Sequence, residues 1–348
     1  MIKIGNFEIK NGGEPFIIAE SGINHNGELD LAFKMIKVAK AAGADAVKFQ
    51  TFKAEEFVAD PTQTYTYLSQ GREVTESMLD MFRRYELSKE EWVLIKERCD
   101  EEGIMFLSTP QNPSDLDMLL ELKIMAIKVG SDDFTNLPLL KIYSKTGLPM
   151  IVSSGMSDLA EVYQALDSIG SMDGYPTVLM HCTSQYPTPP KDVNLARLRT
   201  LINAFPTVVL GFSDHTQGPL ASSLAVTFGA SVFEKHFTLN HNLPGPDHWF
   251  SEDPEGLKEW VSSIRKASLM IGNELVRPTP LEKEMRTLAR RSIVALSDIG
   301  KGELLTTGNI GMKRPGKGLP AALYETVLNL KATRSLARGS LLKWGDFE

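Results

Sequence analysis

Eight short apolar runs, separated by amphipathic stretches, predict an α/β fold in this 348-residue chain. Regular alternation of strand and helix favours a parallel sheet, and eight repeats of the unit favour a closed (β/α)8 TIM barrel. An open, doubly wound sheet is the alternative. The region from residue 287 onward is rich in turns and short β-like runs, so we expect a small β-rich domain after the barrel.

The predicted strands are apolar at their starts and polar at their ends. Helical patterns such as LDLAFKMIKVAKAAG (29–43) and PLASSLAVTFGA (219–230) lie between strands and end near a glycine, which suits a helix C-cap. The eight strands are predicted at FIIAES (16–21), AVKFQTF (46–52), IMFLSTP (104–110), AIKVGS (126–131), PMIVSSG (149–155), TVLMHCTS (177–184), VVLGFSDH (208–215) and VFEKHFTL (232–239).

Domain boundaries follow from changes in composition. We predict the barrel over residues 1–272, a charged linker with two prolines over 273–286, and the small domain over 287–348. Within the barrel, the insert 55–78 is long for a strand-to-helix loop. Long loops at a barrel mouth usually carry function, so we expect this insert to border the active site.

Charge and cysteine content exclude several classes of protein. A net charge of −7 opposes a nucleic-acid-binding face, so a few local lysines must hold any anionic ligand. Cys99 and Cys182 are far apart and form no CxxC motif, which argues against a disulfide framework or a cysteine zinc site. The sequence shows neither a secretory signal nor a membrane-length apolar run, so we expect a cytoplasmic protein.

The polar strand ends supply the candidate site, because catalytic groups of TIM barrels gather at the carboxyl ends of the strands. Side chains alternate faces with a period of two, so several polar pairs project from one face. These pairs are Lys48 with Gln50, Ser213 with His215, and Glu234 with His236. The other strand-end candidates are Glu20, Ser108, Thr109, Lys128, Ser131, Ser153, Ser154, His181, Thr183 and Ser184.

The chemistry of these residues points to an anion and a metal ion. Charged side chains are rarely buried without a partner, so Lys48, Lys128 and Glu234 in apolar strands indicate one shared site. Two lysines among hydroxyl groups suit a small anion such as a phosphate ester. His215 and His236 lie on neighbouring predicted strands and could bind one divalent cation. Two histidines are a weak metal signal, and neutral imidazoles that stabilise an oxyanion are the alternative.

Nine motifs in the sequence resemble those of the sialic acid synthases and the wider nonulosonate synthase family. They occur in the expected order and cover nearly the whole chain. The motifs are IAESGINHNGELDLA, GADAVKFQT, FLSTP, IKVGSDDFTNLPLL, LMHCTSQYPTPPKDVNL, GFSDHT, FEKHFTL, LPGPDH and KRPGKG. This resemblance implies a TIM barrel followed by an antifreeze-like (SAF) domain.

Members of that family condense phosphoenolpyruvate with an N-acetylmannosamine-type sugar and release phosphate. The resemblance implies that His215 and His236 bind a divalent metal, most readily Mn²⁺, with Mg²⁺ and Co²⁺ as alternatives. It also implies a catalytic group in which Glu20 directs water and Glu234 handles protons beside the metal. Lys48 and Lys128 are the other two implied catalytic residues. The implied substrate-binding residues are Gln50, Thr109, Ser131, Asp133, Ser153, Ser154, Ser184, Tyr186, Ser213, Asp247 and Arg314.

The resemblance further implies a domain-swapped homodimer, in which Arg314 of the KRPG motif reaches the active site of the other subunit.

The sequence departs from the family pattern at two places that bear on which sugar is used. Asp132 and Asp133 stand where many members have Gly-Glu, and Ser184 stands where some have asparagine. We expect Asp133 to face sugar hydroxyls. The departure therefore leaves two products open: N-acetylneuraminate from N-acetylmannosamine, or legionaminic or a related acid from a 2,4-diacetamido-2,4,6-trideoxy hexose.

Two other classes of function are weighed against the synthase. A carbohydrate- or ice-binding protein could use the small domain and keep the barrel as an inactive scaffold. Such a scaffold has no reason to keep Glu20 together with two lysines and two histidines at its strand ends. A different aldolase, dependent on phosphoenolpyruvate or on a metal, would share the barrel but not the KRPG motif.

Overall fold

The computed structural model describes all residues of the chain, from Met1 to Glu348. It comprises two compact units, Met1–Gly272 and Asn273–Glu348. None of the helices combines the length and the apolar character needed to cross a membrane.

The strands are given first, followed by the helices, both in chain order. The strands are β1 (Ile2–Ile4), β2 (Phe7–Ile9), β3 (Phe16–Gly22), β4 (Ala46–Thr51), β5 (Thr64–Ser69), β6 (Arg72–Ser77), β7 (Met105–Pro110), β8 (Ile127–Val129), β9 (Met150–Ser153), β10 (Thr177–Cys182), β11 (Val209–Asp214), β12 (Val232–His236), β13 (Ser292–Ala295) and β14 (Ile310–Lys313). The helices are α1 (Leu29–Ala42), α2 (Ala54–Phe57), α3 (Met78–Tyr85), α4 (Lys89–Glu102), α5 (Pro113–Glu121), α6 (Leu137–Ser144), α7 (Leu159–Ile169), α8 (Arg197–Ala204), α9 (Leu220–Thr227), α10 (Pro254–Ile271), α11 (Pro280–Ala289) and α12 (Tyr324–Val327).

Eight parallel strands of the first unit form a barrel with helices around it. Their order is β7-β4-β3-β12-β11-β10-β9-β8, and the two end strands, β7 and β8, lie side by side. The sheet therefore nearly closes, as a TIM barrel requires. The predicted barrel is confirmed, each of the eight predicted strands forms, and the open doubly wound alternative is wrong.

Side-chain alternation divides the barrel into an outer and an inner layer. In β12, Phe233 points into the large core between strands and helices, whereas Val232 points into the barrel. At the amino ends of the strands the inward residues are apolar and pack against Ile2 and Ile4 of the β1–β2 hairpin. At the carboxyl ends the inward residues are polar, so the barrel interior has an apolar floor and a polar mouth.

The insert 55–78 is structured rather than an open loop. It contains α2 and the antiparallel hairpin β5–β6, whose turn residues Gln70 and Gly71 have φ of 50° and 75°. Two successive positive φ values are typical of the primed two-residue hairpin turns. Gln70 Nε2 donates to the carbonyl oxygen of Asn242 at 2.8 Å, and Ser69 Oγ accepts from the Gly245 amide at 3.1 Å. The hairpin is thereby fixed to the loop between β12 and α10.

The second unit has its own apolar core, and β13 and β14 pair in it antiparallel. The predicted linker 273–286 is only partly irregular, because α11 begins at Pro280. Thr279 and Glu282 form a capping box: Thr279 Oγ1 accepts from the Glu282 amide, and the Glu282 carboxylate accepts from the Thr279 amide. The sequence TPLE is typical of such a capping box and predicts a helix start. The charge and proline content of the same segment favoured a linker instead.

Gly27 and Gly71 offer a matched test of backbone crowding, since their φ values are 72° and 75°. A Cβ at Gly27 would lie 2.1 Å from the carbonyl oxygen of Arg84, whereas a Cβ at Gly71 would meet nothing within 4 Å. We expect Gly71→Ala to lower the free energy of unfolding by about 1 kcal/mol through its backbone conformation alone. Gly27→Ala should cost more than about 3 kcal/mol, because the backbone must also shift. Denaturant titration followed by circular dichroism measures both losses, and equal values would contradict the crowding at Gly27.

Candidate active site

The polar mouth of the barrel surrounds a cavity of about 780 Å³. This volume suits small-molecule substrates. Strand ends form its floor, and the β5–β6 hairpin and the loop between β12 and α10 form part of its wall. The predicted site residues that line it are Glu20, Lys48, Gln50, Thr109, Lys128, Ser131, Ser153, Ser184, Tyr186, Ser213, His215, Glu234, His236 and Asp247.

Two lysines and two glutamates form a buried cluster on the cavity floor. Lys48 Nζ lies 2.8 Å from Glu20 Oε1 and 3.8 Å from Glu234 Oε2. Lys128 Nζ lies 3.7 Å from Glu234 Oε1. Each cation therefore has a carboxylate partner, which is the condition under which charges are tolerated in a barrel interior.

Hydroxyl groups from neighbouring strands complete the coordination of the two ammonium groups. Lys48 Nζ donates to Thr109 Oγ1 at 3.1 Å, and Lys128 Nζ donates to Ser153 Oγ at 2.8 Å. These four side chains come from β4, β7, β8 and β9, so the closed sheet brings together groups that are distant in sequence. The arrangement presents two cations and two hydroxyls to one side of the cavity.

Burial and charge pairing set the protonation of the cluster. Burial raises the pKa of Glu20 to about 7, although Lys48 opposes the shift. Burial also disfavours the Glu234 carboxylate, but both lysines and a hydrogen bond from Ser213 outweigh it and lower the pKa to about 2. The carboxylates raise the pKa of Lys48 against the effect of burial, whereas burial lowers the pKa of Lys128. Glu20 is thus the group that can exchange a proton near neutral pH.

His215 and His236 lie together beside this cluster, with ring centroids 5.6 Å apart. His215 Nδ1 lies 2.8 Å from the carbonyl oxygen of Thr183 and therefore carries a proton, so Nε2 is the nitrogen that can bind a metal when the ring is neutral. Although burial opposes the shift, Cys182 beside the ring raises the pKa of His215. His236 Nδ1 is buried without a hydrogen-bond partner, and Asp247 Oδ2 is 3.9 Å from it. Burial, helped by the neighbouring His215, lowers the pKa of His236, and its ring is therefore neutral.

Imidazole nitrogens with an available lone pair are suitable ligands for a divalent transition metal. The unpartnered Nδ1 of His236 is the observation that fits such an ion. No group of three or more His, Cys, Asp or Glu side chains converges on one point. The pair would therefore supply two ligands, and water or substrate would supply the others.

Three predicted site residues do not line the cavity within the barrel unit. Ser154 Oγ donates to the carbonyl oxygen of Met180 at 3.0 Å. Asp133 accepts a hydrogen bond from Asn136, the N-cap residue of α6, at 3.1 Å, and its neighbour Asp132 lines the cavity instead. Asp133 therefore lies outside the cavity lining, and its contact with sugar hydroxyls stays a prediction. Arg314 lies in the second unit, where its side chain is exposed.

The cavity also contains residues that the sequence of the strand ends did not predict. His181 points outward, with Nε2 2.7 Å from the carbonyl oxygen of Val193, and Cys182 lines the cavity. Met180 points into the barrel, and alternation along β10 places Cys182 on the same face. The length of the insert predicted that this segment borders the site, but it did not indicate which side chains of the hairpin line the cavity. Further cavity residues from α2, α3, the loops and the hairpin include Phe57, Tyr65, Tyr67, Glu73, Phe82, Gln111, Asp132, Met156, Trp249 and Phe250.

Comparison with known proteins adds independent evidence. The model of the NeuB family matches residues 35–275, and that of the SAF domain matches residues 290–348. The chain is 40% identical to the N,N'-diacetyllegionaminic acid synthase of Legionella pneumophila, over 96% of this chain and 94% of that protein. It is 34% identical to the human N-acetylneuraminate-9-phosphate synthase, over 92% of this chain and 88% of that protein.

A solved structure agrees with the sequence relatives. The crystal structure of the N-acetylneuraminic acid (sialic acid) synthetase from Leptospira borgpetersenii superposes with a TM-score of 0.73 at 32% identity. The match covers 82% of this chain and 94% of that one. The chain therefore belongs to the NeuB family, whose members include sialic acid and legionaminic acid synthases, and it carries a SAF domain at its C-terminal end.

Proposed function

We propose that this protein condenses phosphoenolpyruvate with an acylated mannosamine-type sugar in its open-chain aldehyde form, giving a nine-carbon 2-keto acid and phosphate. N-acetylmannosamine, which gives N-acetylneuraminate, is the first candidate sugar. The observation that carries the proposal is the buried cluster of Lys48 and Lys128 with Glu20 and Glu234 at the cavity floor. We expect the reaction to take place in the cytoplasm, where phosphoenolpyruvate is formed.

The cluster supports binding of a substrate with two anionic groups. Lys48 and Lys128, with Thr109, Ser153 and nearby Ser131, offer ammonium and hydroxyl donors to a phosphate and a carboxylate. With both carboxylates ionised the cluster has no net charge. Because the pKa of the Glu20 carboxyl group is about 7, a large share of this group is ionised near neutral pH and can accept a proton during turnover.

Glu20 has the position expected of the group that directs water. One carboxylate oxygen pairs with Lys48, and the other, Oε2, is buried without a partner. Carbon 3 of phosphoenolpyruvate attacks the aldehyde carbon, and positive charge develops at carbon 2. Water adds to carbon 2 and gives a proton to Glu20, and the tetrahedral intermediate expels phosphate by breaking the carbon–oxygen bond.

His215 and His236 are the residues that would hold a divalent cation, for which Mn²⁺ is the first candidate and Mg²⁺ or Co²⁺ are alternatives. Such an ion, when bound, supplies Lewis-acid polarisation of a carbonyl oxygen. Tyr186 packs against both imidazoles, with centroid distances of 4.1 and 5.7 Å, and limits their rotation. Glu234 lies beside the pair and accepts from Ser213, so its carboxylate stays oriented toward the cluster.

The sugar would lie toward the open side of the cavity, near Gln50, Tyr186 and Asp247. The aromatic wall there supports a second candidate sugar, a 2,4-diacetamido-2,4,6-trideoxy hexose that gives legionaminic or a related acid. Tyr65 and Tyr67 of the hairpin stack at 5.7 Å and offer apolar surface suited to a deoxy carbon and a second acetamido group.

We also propose that the chain works as a domain-swapped homodimer in which Arg314 of one subunit completes the active site of the other. Two observations support a partner. The Arg314 side chain is exposed within its own unit. Apolar residues between the barrel and β13 are exposed, including Val276, Leu281 and Leu288, and exposed apolar clusters mark interaction surfaces.

A panel of acceptors tests the substrate assignment. The protein is incubated with phosphoenolpyruvate, Mn²⁺ and either N-acetylmannosamine, the 2,4-diacetamido-2,4,6-trideoxy sugar or N-acetylglucosamine, and products are weighed by mass spectrometry. We expect a condensation product with at least one of the first two sugars and none with N-acetylglucosamine. Lys48→Met should reduce kcat/KM by at least about 100-fold, because it removes a cation from the anion site. Turnover that survives Lys48→Met unchanged would contradict the proposed anchor.

Isotope labelling tests which bond breaks. Phosphoenolpyruvate with ¹⁸O in the bridging position should deliver the label to inorganic phosphate, because water attacks carbon 2 rather than phosphorus. Label found in the keto acid before solvent exchange would contradict this mechanism. The lowered pKa of Lys128 makes a Schiff-base aldolase the competing chemistry. Because both lysines are proposed to hold an anion as cations rather than to act as nucleophiles, borohydride with pyruvate should trap no adduct on either lysine.

Subunit mixing tests the role of Arg314. Arg314→Ala and Lys128→Ala should each be nearly inactive alone. After complete subunit exchange, half of the dimers are mixed and each holds one intact site, so about a quarter of the wild-type rate should return. Exchange is verified with differently tagged subunits. Proven exchange with no recovered activity would show that Arg314 acts within its own chain.

A further inference from the structure

A charged pair lies where the barrel is otherwise apolar. On the outward face of β11 and β12, Leu210, Phe212 and Phe233 belong to the core between strands and helices. The next outward residues are Asp214 and Lys235, which are register partners in the sheet and are 1% and 2% exposed. Lys235 Nζ lies 3.2 Å from Asp214 Oδ2.

Each polar group of this pair has polar partners nearby. The three N–H donors of Lys235 face three acceptors: Asp214 Oδ2, Glu252 Oε1 at 3.6 Å and the carbonyl oxygen of Thr216. Asp214 Oδ1 accepts from both the amide and the hydroxyl of Thr216, each at 2.8 Å, and Oδ2 accepts from Ser222 Oγ at 2.6 Å. These contacts form a closed network, defined here as the Asp214–Lys235–Glu252 network.

The network joins helices to the strand ends. Ser222 in α9 accepts a hydrogen bond from the indole N–H of Trp260 in α10 at 2.9 Å. Glu252 Oε1 accepts from the Gly218 amide at 2.8 Å, and the Glu252 amide donates to the carbonyl oxygen of His236 at 2.9 Å. The outer helices are therefore connected by hydrogen bonds to the backbone around the two histidines.

Each of the two charged residues precedes one of the cavity histidines. His215 follows Asp214 and His236 follows Lys235, and alternation sends each imidazole to the opposite face from its charged neighbour. The gap between the network and the imidazole pair, bordered also by Thr216 and Phe250, has no room for a water molecule. A displacement of Asp214 or Lys235 should therefore displace the backbone of the adjacent histidine as well.

We propose that the Asp214–Lys235–Glu252 network positions His215 and His236 so that both imidazoles can bind one divalent cation. A buried ion pair adds little stability compared with well-packed apolar residues, so stability alone does not explain charges in this layer. Hydrogen bonds and ion pairs are directional, whereas apolar packing tolerates small displacements. The metal itself rests on the proposed function. Asp214, Lys235 and Glu252 act through the histidines and touch no substrate.

A second ion pair of the same barrel serves as a matched control. Arg265 in α10 lies 2.9 Å from Asp45, whose carboxylate also accepts from the Ile17 amide at 2.8 Å. Asp45 precedes β4, at the amino end of the barrel, opposite the histidines. Asp214→Asn and Asp45→Asn each remove the charge of a carboxylate that is bonded to α10 directly or through one residue. Only the first lies next to the histidines.

The test measures Mn²⁺ affinity from the electron paramagnetic resonance signal of free Mn²⁺, together with the unfolding temperature. We expect Asp214→Asn to weaken Mn²⁺ binding about 10- to 100-fold, the loss typical of altered residues that orient metal ligands. Asp45→Asn should leave Mn²⁺ affinity within about twofold, because Asp45 lies at the opposite end of the barrel, and the unfolding temperature reports the stability that each variant loses. Mn²⁺ affinity that is unchanged in Asp214→Asn would overturn the proposal. If Asp214→Asn does not fold, Ser222→Ala removes one hydrogen bond from Asp214 and should weaken binding several-fold.

Crystal structures of the wild type and the two variants separate this proposal from the metal assignment. Wild-type protein that binds no Mn²⁺ at the histidine pair would refute the metal assignment in the proposed function. The imidazole positions then decide whether the network positions them. We expect both rings to be displaced in Asp214→Asn and unmoved in Asp45→Asn, and rings that stay in place in Asp214→Asn would overturn the positioning role.

Discussion

The placement of two ammonium groups inside the barrel is the constraint on which the rest of the active site depends. A buried cation without a partner costs several kcal/mol, so Lys48 and Lys128 require carboxylates within a few ångströms. Glu20 and Glu234 meet this requirement from β3 and β12. The apolar floor below them, closed by the β1–β2 hairpin, keeps water away from one side of the cluster.

That constraint has a consequence for catalysis. In the free protein the carboxylates of Glu20 and Glu234 stabilise the buried lysines. The same carboxylates compete with an anionic substrate for binding to these lysines. Burial raises the pKa of Glu20 to about 7, so this carboxylate can accept a proton near neutral pH, whereas the lysines keep Glu234 ionised. One structural requirement, the pairing of buried charges, thus produces two carboxylates with different chemical roles.

The walls of the cavity depend on contacts between distant segments of the first unit. Asn24, just after β3, donates to the carbonyl oxygen of Phe237 and to Ser251 Oγ, at 2.8 and 3.1 Å. Ser251 in turn donates to the carbonyl oxygen of Asp247 at 2.6 Å. Together with the bond from Gln70 to Asn242, these contacts hold the loop that carries Asp247 against both β3 and the hairpin. A substitution of Asn24 would therefore alter the side of the cavity that carries Asp247, although Asn24 itself does not line the cavity.

The sequence by itself determined the barrel, its eight strands and most of the cavity floor. The reason is that strand alternation is a local property, and parallel strands of a closed barrel must end at one rim. Lys48, Gln50, Ser213 and His215 could be assigned to one pocket on that ground alone. Alternation alone could not choose between His181 and Cys182, because Val178, Leu179 and Met180 make both faces of β10 apolar.

Only the tertiary structure decided which side chains of the loops and of the outer layer matter. Asp133 is hydrogen-bonded to Asn136, and Asp132 lines the cavity. Both residues follow the end of β8, where strand alternation no longer determines the direction of a side chain. The hairpin was placed by bonds to Asn242 and Gly245, which are more than 170 positions away in the chain. The pairing of Asp214 with Lys235 likewise depends on neighbouring strands and on Glu252. Contacts of this kind exist only after the sheet closes, and for that physical reason no local pattern in the sequence could reveal them.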